Sequence, residues 1–183
     1  MEAYYTFVRK VVEAFDGTGL DYAFTGALAT SFYGTPRTTS DIDVIVTVDS
    51  ETDLKTKLIT ALHRARLAVD ERKIDTALTS GFKIATFKDT TSPYCIDVIF
   101  SSEKLDKRAG KIAGLNTFFQ SPEGLVAAKL RMIKATLSPE HSAKDKTDVK
   151  AILKFTKVNL DAVKRQAKKD HTLEVFESLG SNA

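Results

Sequence analysis

Apolar positions recur at helical spacing at the start of the chain: Tyr5, Val8, Val11, Val12 and Phe15 share one face of a helix predicted over residues 2–15. The polar DGTG breaks it, and YAFT (22–25) then reads as a short strand. After Gly26, ALATSFY suits a short helix closed by Gly34, and the loop TPRTTS leads into DIDVIVTV, the strongest strand in the sequence. In SETDLKTKLITALHRA, Ser50 stands as an N-cap with Asp53 three residues on, ahead of the amphipathic set Leu54, Leu58, Ile59 and Leu62. FKIATF and YCIDVIF, separated by KDTTSP, read as two further strands. Pro122 opens a helix running to Ala135, the polar SPEHS forms a joint, and helices near 143–156, 160–169 and 172–179 complete the chain. The expectation is an α+β fold: a mixed β-sheet core with flanking helices over residues 1–120, and a helical subdomain, 121–183, packed on it.

Length and composition agree with a globular chain. Its 183 residues suffice for one core, and 43% apolar with 28% charged residues is ordinary for a soluble protein. No window approaches the roughly 18 uninterrupted apolar residues of a membrane helix, and the acidic, amphipathic start lacks the features of a signal peptide. A cytoplasmic location without membrane partners is expected. The single cysteine, Cys95, excludes an internal disulfide and reads as an inert thiol in an apolar run. His63, His141 and His171 are too scattered for a metal set.

Charge changes the picture more than composition does. Residues 1–103 carry 11 Lys and Arg against 15 Asp and Glu, whereas residues 104–157 carry 12 against 5. An acidic front and a basic middle suggest cation binding in the first part and anion contact in the second. Most of those lysines read as solvated helix faces, and so does the separate KRQAKKDH run (164–171), for which contact with RNA is the alternative.

The chemistry begins with two aspartates at the head of the strongest strand. Side chains alternate along a strand, so Asp41 and Asp43 share a face with their Cα atoms about 6.6 Å apart, while Ile42, Val44 and Val46 fill the other. Like charges this close call for protonation, a cation or a divalent metal. Asp97, the one charge in YCIDVIF, is costly in an apolar strand unless paired or liganded. If the two strands are neighbours, three carboxylates meet. Gly26, between a strand and a helix, would permit a tight turn whose backbone N–H groups face an anion. Plainer roles exist for each: Asp41 could end the preceding turn, and Asp97 could pair with a lysine such as Lys83.

Taken together, FTGALATSFYGTPRTTSDIDVIV resembles the signature of the DNA polymerase beta-type nucleotidyltransferase superfamily, in which a glycine turn precedes a D-h-D strand and a third acid follows on a later strand. Its wording is most similar to the small stand-alone members, the abortive-infection and toxin–antitoxin nucleotidyltransferases. SPEGLVAAKLRMIKA followed by KDKTDVKAIL resembles the helical segment of the abortive-infection group. The likeness runs from about Tyr22 to Leu153.

The resemblance implies Asp41, Asp43 and Asp97 as ligands of catalytic Mg²⁺ or Mn²⁺, with Asp97 activating the attacking hydroxyl. Gly26 would shape the phosphate turn, Lys129 and Arg37 would contact the triphosphate, and Asp145 or Asp148 would fill the later acidic position. Ala27 stands where the family has Gly or Ser, so a phosphate-binding hydroxyl is missing there while the backbone donors remain. Thr25, Thr39 and Ser40 are the nearest replacements. The plainer alternatives are a solvated Arg37, a snorkelling stem for Lys129 and a helix N-terminal charge interaction for Asp145.

The implied activity is metal-dependent transfer of NMP from an NTP such as ATP to a hydroxyl of an RNA, tRNA foremost, or of a protein, by the toxin of a toxin–antitoxin pair with a cognate antitoxin as partner. Three alternatives stay open: an antitoxin-type enzyme that modifies a partner toxin, a non-catalytic nucleotide-binding module of the same fold, and an enzyme with a small-molecule antibiotic as acceptor.

Overall fold

A computed structural model of the chain describes residues 2–36, 39–48 and 51–180. The N-cap expected at Ser50 lies outside the described residues. The chain divides into two compact units, Met1–Leu28 with Thr38–Gln120, and Ala29–Arg37 with Ser121–Ala183.

The first unit is built on a mixed sheet. Its elements are α1 (Glu2–Asp16), β1 (Tyr22–Phe24), the start of α2 (Gly26–Tyr33), β2 (Asp41–Thr47), α3 (Glu51–Arg64), α4 (Glu71–Thr79), β3 (Ile84–Lys88), β4 (Cys95–Ser101), β5 (Lys107–Ile112) and β6 (Leu115–Gln120). The six strands lie in the order β3-β4-β2-β1-β6-β5. β2 with β4 and β1 with β6 are parallel, and the other neighbours are antiparallel. This is the expected α+β architecture.

Alternation fixes which face of the sheet is covered. Ile42, Val44 and Val46 of β2 and Ile96 and Val98 of β4 are completely buried, and Phe87 of β3 joins them. Burying side chains of this size contributes about 1.5–3 kcal/mol each, so a one-residue register slip that exposed them would be strongly disfavoured. α1 buries Phe7, Val8, Val11, Val12 and Phe15. Tyr5, expected on the apolar face, is exposed instead, and Phe7 takes the place.

Three elements escape the sequence pattern. α4 is a nine-residue helix capped by Asp70, whose side chain accepts from the Arg72 N–H. β5 and β6 form a hairpin closed by the two-residue turn Ala113–Gly114, both at positive φ. That turn is the geometry that matches strand twist, and Gly114 adopts it without strain. In the second unit, SPEHS is not a joint: Ser138 caps α6 and Pro139 is its first residue, so the helix begins before the expected 143.

The second unit gathers α5 (Pro122–Ala135), α6 (Pro139–Phe155), α7 (Leu160–Lys169) and α8 (Leu173–Gly180) around Leu130, Val149, Ile152 and Val163. Ser121, Ser138 and Asn159 cap the first three of these helices. The Thr156 hydroxyl donates to the Tyr33 carbonyl at 2.5 Å, tying the end of α2 into the bundle. Among the described residues no helix is long and apolar enough to cross a membrane.

A buried acid anchors α1 to the loop before β4. Asp89 accepts from the Lys10 ammonium and from the hydroxyls of Thr91 (3.0 Å) and Ser92 (2.5 Å). Burial pushes its carboxyl upward, but the hydrogen bonds from Lys10, Ser92 and Thr91 outweigh that and hold it below the usual value. A depressed carboxylate contributes stability above the unfolded-state pKa and loses it as pH falls through the folded one. Urea denaturation is therefore expected to show stability dropping below about pH 4, with a shallower drop in Asp89→Asn. At pH 7 the same variant should be less stable by about 2 kcal/mol.

Candidate active site

The acidic edge follows from one register. β2 and β4 are adjacent and parallel, with Asp43 opposite Asp97 and Asp41 opposite Cys95. Neighbouring strands lie about 4.8 Å apart, so Asp43 and Asp97 stand side by side, and Asp41 stands two residues along the same face. All three are half-buried, between rows that are fully buried on the opposite face. The structure thus brings together the three carboxylates that the sequence singled out.

Each carboxylate is held by its surroundings. Thr39 Oγ1 donates to Asp41, and Thr86 Oγ1 of β3 donates to Asp97 Oδ1 at 2.5 Å. Asp43 lies against the first residue of α2: a Cβ added to Gly26 would fall 1.9 Å from Asp43 Oδ2 and 2.6 Å from its Cγ. Gly26 also has a φ of +56°, in the left-handed region. The glycine therefore has a nearer purpose than a phosphate turn, which is to admit an acid to the positive end of a helix. That dipole offsets part of the repulsion between Asp43 and its neighbours. Thr25, a replacement for the missing hydroxyl at Ala27, is engaged elsewhere, donating to Gln120 Oε1 at 2.5 Å.

The donors are all carboxylate oxygens, a set that suits Mg²⁺ or Mn²⁺ rather than a softer ion. Among the described residues, no three His, Cys, Asp or Glu side chains converge tightly enough to form a ready-made metal site. The arrangement is an open rim to which water and phosphate oxygens would have to contribute.

Two further groups, Tyr4, which the sequence did not single out, and Cys95, report the field at this rim. Tyr4, in the first turn of α1, has a hydroxyl that is enclosed and makes no hydrogen bond among the described residues. Burial, reinforced by the charges of Asp41 and Asp43, pushes its pKa up to about 12. Its ring packs edge-on against Tyr94, 5.5 Å between centroids. Burial raises the Cys95 thiol too, with Asp97, Asp41 and Asp43 adding to the effect, which accords with an inert thiol.

The remaining expected site residues fall elsewhere. Ala27 is buried in the first turn of α2. Arg37 lies outside the described residues. Lys129, Asp145 and Asp148 do meet, inside the helical unit: the Lys129 ammonium donates to Asp145 Oδ1 at 3.0 Å and to Asp148 Oδ2 at 2.7 Å. The lysine side chain is only 9% exposed. The snorkelling stem does not describe it, because its charge is neutralised within the bundle by two acids one turn apart on α6.

The six-stranded mixed sheet with its flanking helices is a fold shared with solved structures. No family model and no curated protein matches the chain, but solved structures do. The antigenic nucleotidyltransferase-like protein from Paracoccidioides brasiliensis aligns with a TM-score of 0.57 at 16% identity, over 92% of this chain and 91% of that one. The solution structure of the antibiotic-resistance factor ANT(2'')-Ia gives 0.61 at 14% identity over 100% and 99% of the two chains. The crystal structure of ANT(2'')-Ia in complex with adenylyl-2''-tobramycin gives 0.60 at 14% identity, over 93% and 98%. At these identities the likeness establishes the fold.

Two substitutions test the geometry. Gly26→Ala should displace Asp43 and strain the turn, lowering stability by about 1–3 kcal/mol in chemical denaturation and weakening Mn²⁺ binding measured by calorimetry. Lys129→Met should leave two acids facing each other in the helical unit and cost about 3 kcal/mol at pH 7.

Proposed function

We propose that the chain is a nucleotidyltransferase that moves a nucleoside monophosphate from an NTP to a hydroxyl of a macromolecular acceptor, RNA or protein. The observation that carries the reading is the alignment of Asp43 with Asp97 on adjacent parallel strands, with Asp41 on the same face and Asp43 lodged at the start of α2. The fold shared with nucleotidyltransferases supports it.

In this reading Asp41, Asp43 and Asp97 would hold divalent Mg²⁺ or Mn²⁺, which would supply neutralising charge for the triphosphate and acidify the acceptor hydroxyl. Asp97 accepts the hydroxyl proton; Thr86 occupies one of its oxygens and fixes the orientation of the carboxylate. The acceptor oxygen bonds to the α-phosphorus in line with the departing oxygen, and pyrophosphate leaves. Thr39 holds Asp41 in place. The triphosphate role that the resemblance implies for Lys129 competes with ion pairs that already use two of its three N–H donors. The acidic role implied for Asp145 and Asp148 is tied to that same lysine. Membership of a toxin–antitoxin pair rests on the wording of RTTSDID (37–43) within the stretch that carries the resemblance, and growth arrest on induction would support it.

A small-molecule acceptor is the second reading, favoured by the full-length match to ANT(2'')-Ia, whose crystal structure contains adenylyl-2''-tobramycin. The test for both is transfer of label from each α-labelled NTP, with Mg²⁺, to total RNA, total protein or tobramycin. Label is expected in a macromolecular fraction and should fall at least about a thousand-fold in Asp41→Ala and Asp43→Ala. Label that persists in both variants, or that appears only in tobramycin, contradicts the proposal.

A further inference from the structure

β3 stands at the end of the sheet, with β4 on one side and no strand in the sheet order on the other. The inner edge is fixed by the antiparallel ladder to β4. At its two ends the Phe100 N–H donates to the Lys83 carbonyl at 2.8 Å and the Asp89 N–H donates to the Tyr94 carbonyl at 2.9 Å. Bonded residues alternate along such a ladder, so 83, 85, 87 and 89 face β4 while Ile84, Thr86 and Lys88 turn their N–H and C=O groups outward. Parts of that outer edge are already occupied. The Lys88 carbonyl accepts from the Ala68 N–H at 2.8 Å, and the Thr86 carbonyl accepts from the Lys73 ammonium at 3.0 Å. The Ser80 hydroxyl holds both the N–H and the carbonyl of Phe82, at 3.2 and 3.0 Å. Between these contacts, among the described residues, the N–H and carbonyl of Ile84 and the N–H of Thr86 stay open.

A groove of about 390 Å³ runs beside this open stretch, between β3 and α4. Its two sides differ in chemistry. Ile84 and Thr86 lie on the sheet face opposite the buried Ala85 and Phe87, and Phe82, two residues before Ile84, is 72% exposed. Arg72 and Lys73, from the first turn of α4, form the other side, and no carboxylate is among the lining residues. Arg72 meets Asp70 only through its Nε, at 3.3 Å, in an exposed pair of small energetic weight. Lys83 and Lys88, at the two ends of the strand, are exposed as well. A chain laid along the open edge would meet apolar side chains on one face and positive charge on the other.

We propose that this edge is a docking site for an extended acidic peptide of a partner protein, which adds to the sheet as a seventh strand. The open backbone groups select a polypeptide, because an extended chain offers the alternating C=O and N–H groups that Ile84 and Thr86 can bond. Charge selects its composition: alternate acidic side chains face Arg72 and Lys73, and the intervening apolar ones lie on Phe82 and Ile84. Two copies of this chain pairing through the same edge would bring Arg72, Lys73, Lys83 and Lys88 of both protomers together, which like-charge repulsion opposes. The assignment makes no use of the acidic rim or of the nucleotidyltransferase reading.

The test is a titration of the full chain, at low ionic strength, into a fluorescein-labelled heptapeptide of alternating Glu and Val, followed by fluorescence anisotropy. Saturable binding is expected. A peptide with Lys in place of Glu should not bind, and N-methylation of the central peptide bonds of the Glu–Val peptide should weaken it at least about ten-fold. Arg72→Glu should weaken binding about ten-fold through charge, and Ile84→Pro should do the same by removing an outward donor while leaving the ladder to β4 intact. Circular dichroism checks that both variants fold, and the N-methylated peptide tests strand pairing on the unaltered chain. No saturable binding of the Glu–Val peptide, equal binding of the Lys or N-methylated peptide, or unchanged affinity in both variants overturns the proposal. So does displacement of the peptide by an oligouridylate, which would assign the groove to single-stranded nucleic acid, or self-association of the chain that Ile84→Pro abolishes, which would assign the edge to a second copy.

Discussion

The parallel pairing of β2 with β4 is the constraint on which the rest depends. One face of this pair is buried among Ile42, Val44, Val46, Ile96 and Val98. Its register is therefore set by apolar burial, and the acids on the opposite face inherit their alignment from it. Charge repulsion between Asp43 and Asp97 opposes the pairing, but each strand contributes several completely buried side chains against it. The site is thus held together by forces unrelated to its chemistry.

That division of labour explains what was legible in the sequence. The alternation in DIDVIVTV and YCIDVIF shows both the covered face and the acidic one, because period-two patterning records burial directly. The β5–β6 hairpin escaped because KRAGKI has no apolar alternation: β5 is an edge strand whose residues are exposed or half-buried. α4 escaped because a nine-residue helix with two buried side chains, Ile74 and Ala77, leaves too faint a period. The beginning of α6 was obscured by Ser138 and Pro139, which read as a break when they are a cap and a first turn.

Within the candidate site, the limits were of a different kind. Tyr4 and Thr86 lie 37 and 11 residues from Asp41 and Asp97 respectively, and nothing local marks them. Thr86 depends on the antiparallel register of β3 against β4, which places it opposite Asp97. Tyr4 depends on the path of α1 toward Tyr94. Gly26 was legible as a turn, but the reason for it, the Asp43 carboxylate where a Cβ would be, is a long-range fact.

The sheet is sewn together unevenly. β1 is three residues long, and its parallel junction with β6 aligns a single residue pair, Phe24 with Phe119. What secures that seam is side-chain chemistry: Tyr22 with Thr117, Thr25 with Gln120, and Lys107 with Asp21. A main-chain ladder tolerates almost any residue, whereas these clasps depend on identity. Across related chains, drift at six side chains could loosen the hairpin while the acidic rim, on the fully laddered side of the seam, kept its shape.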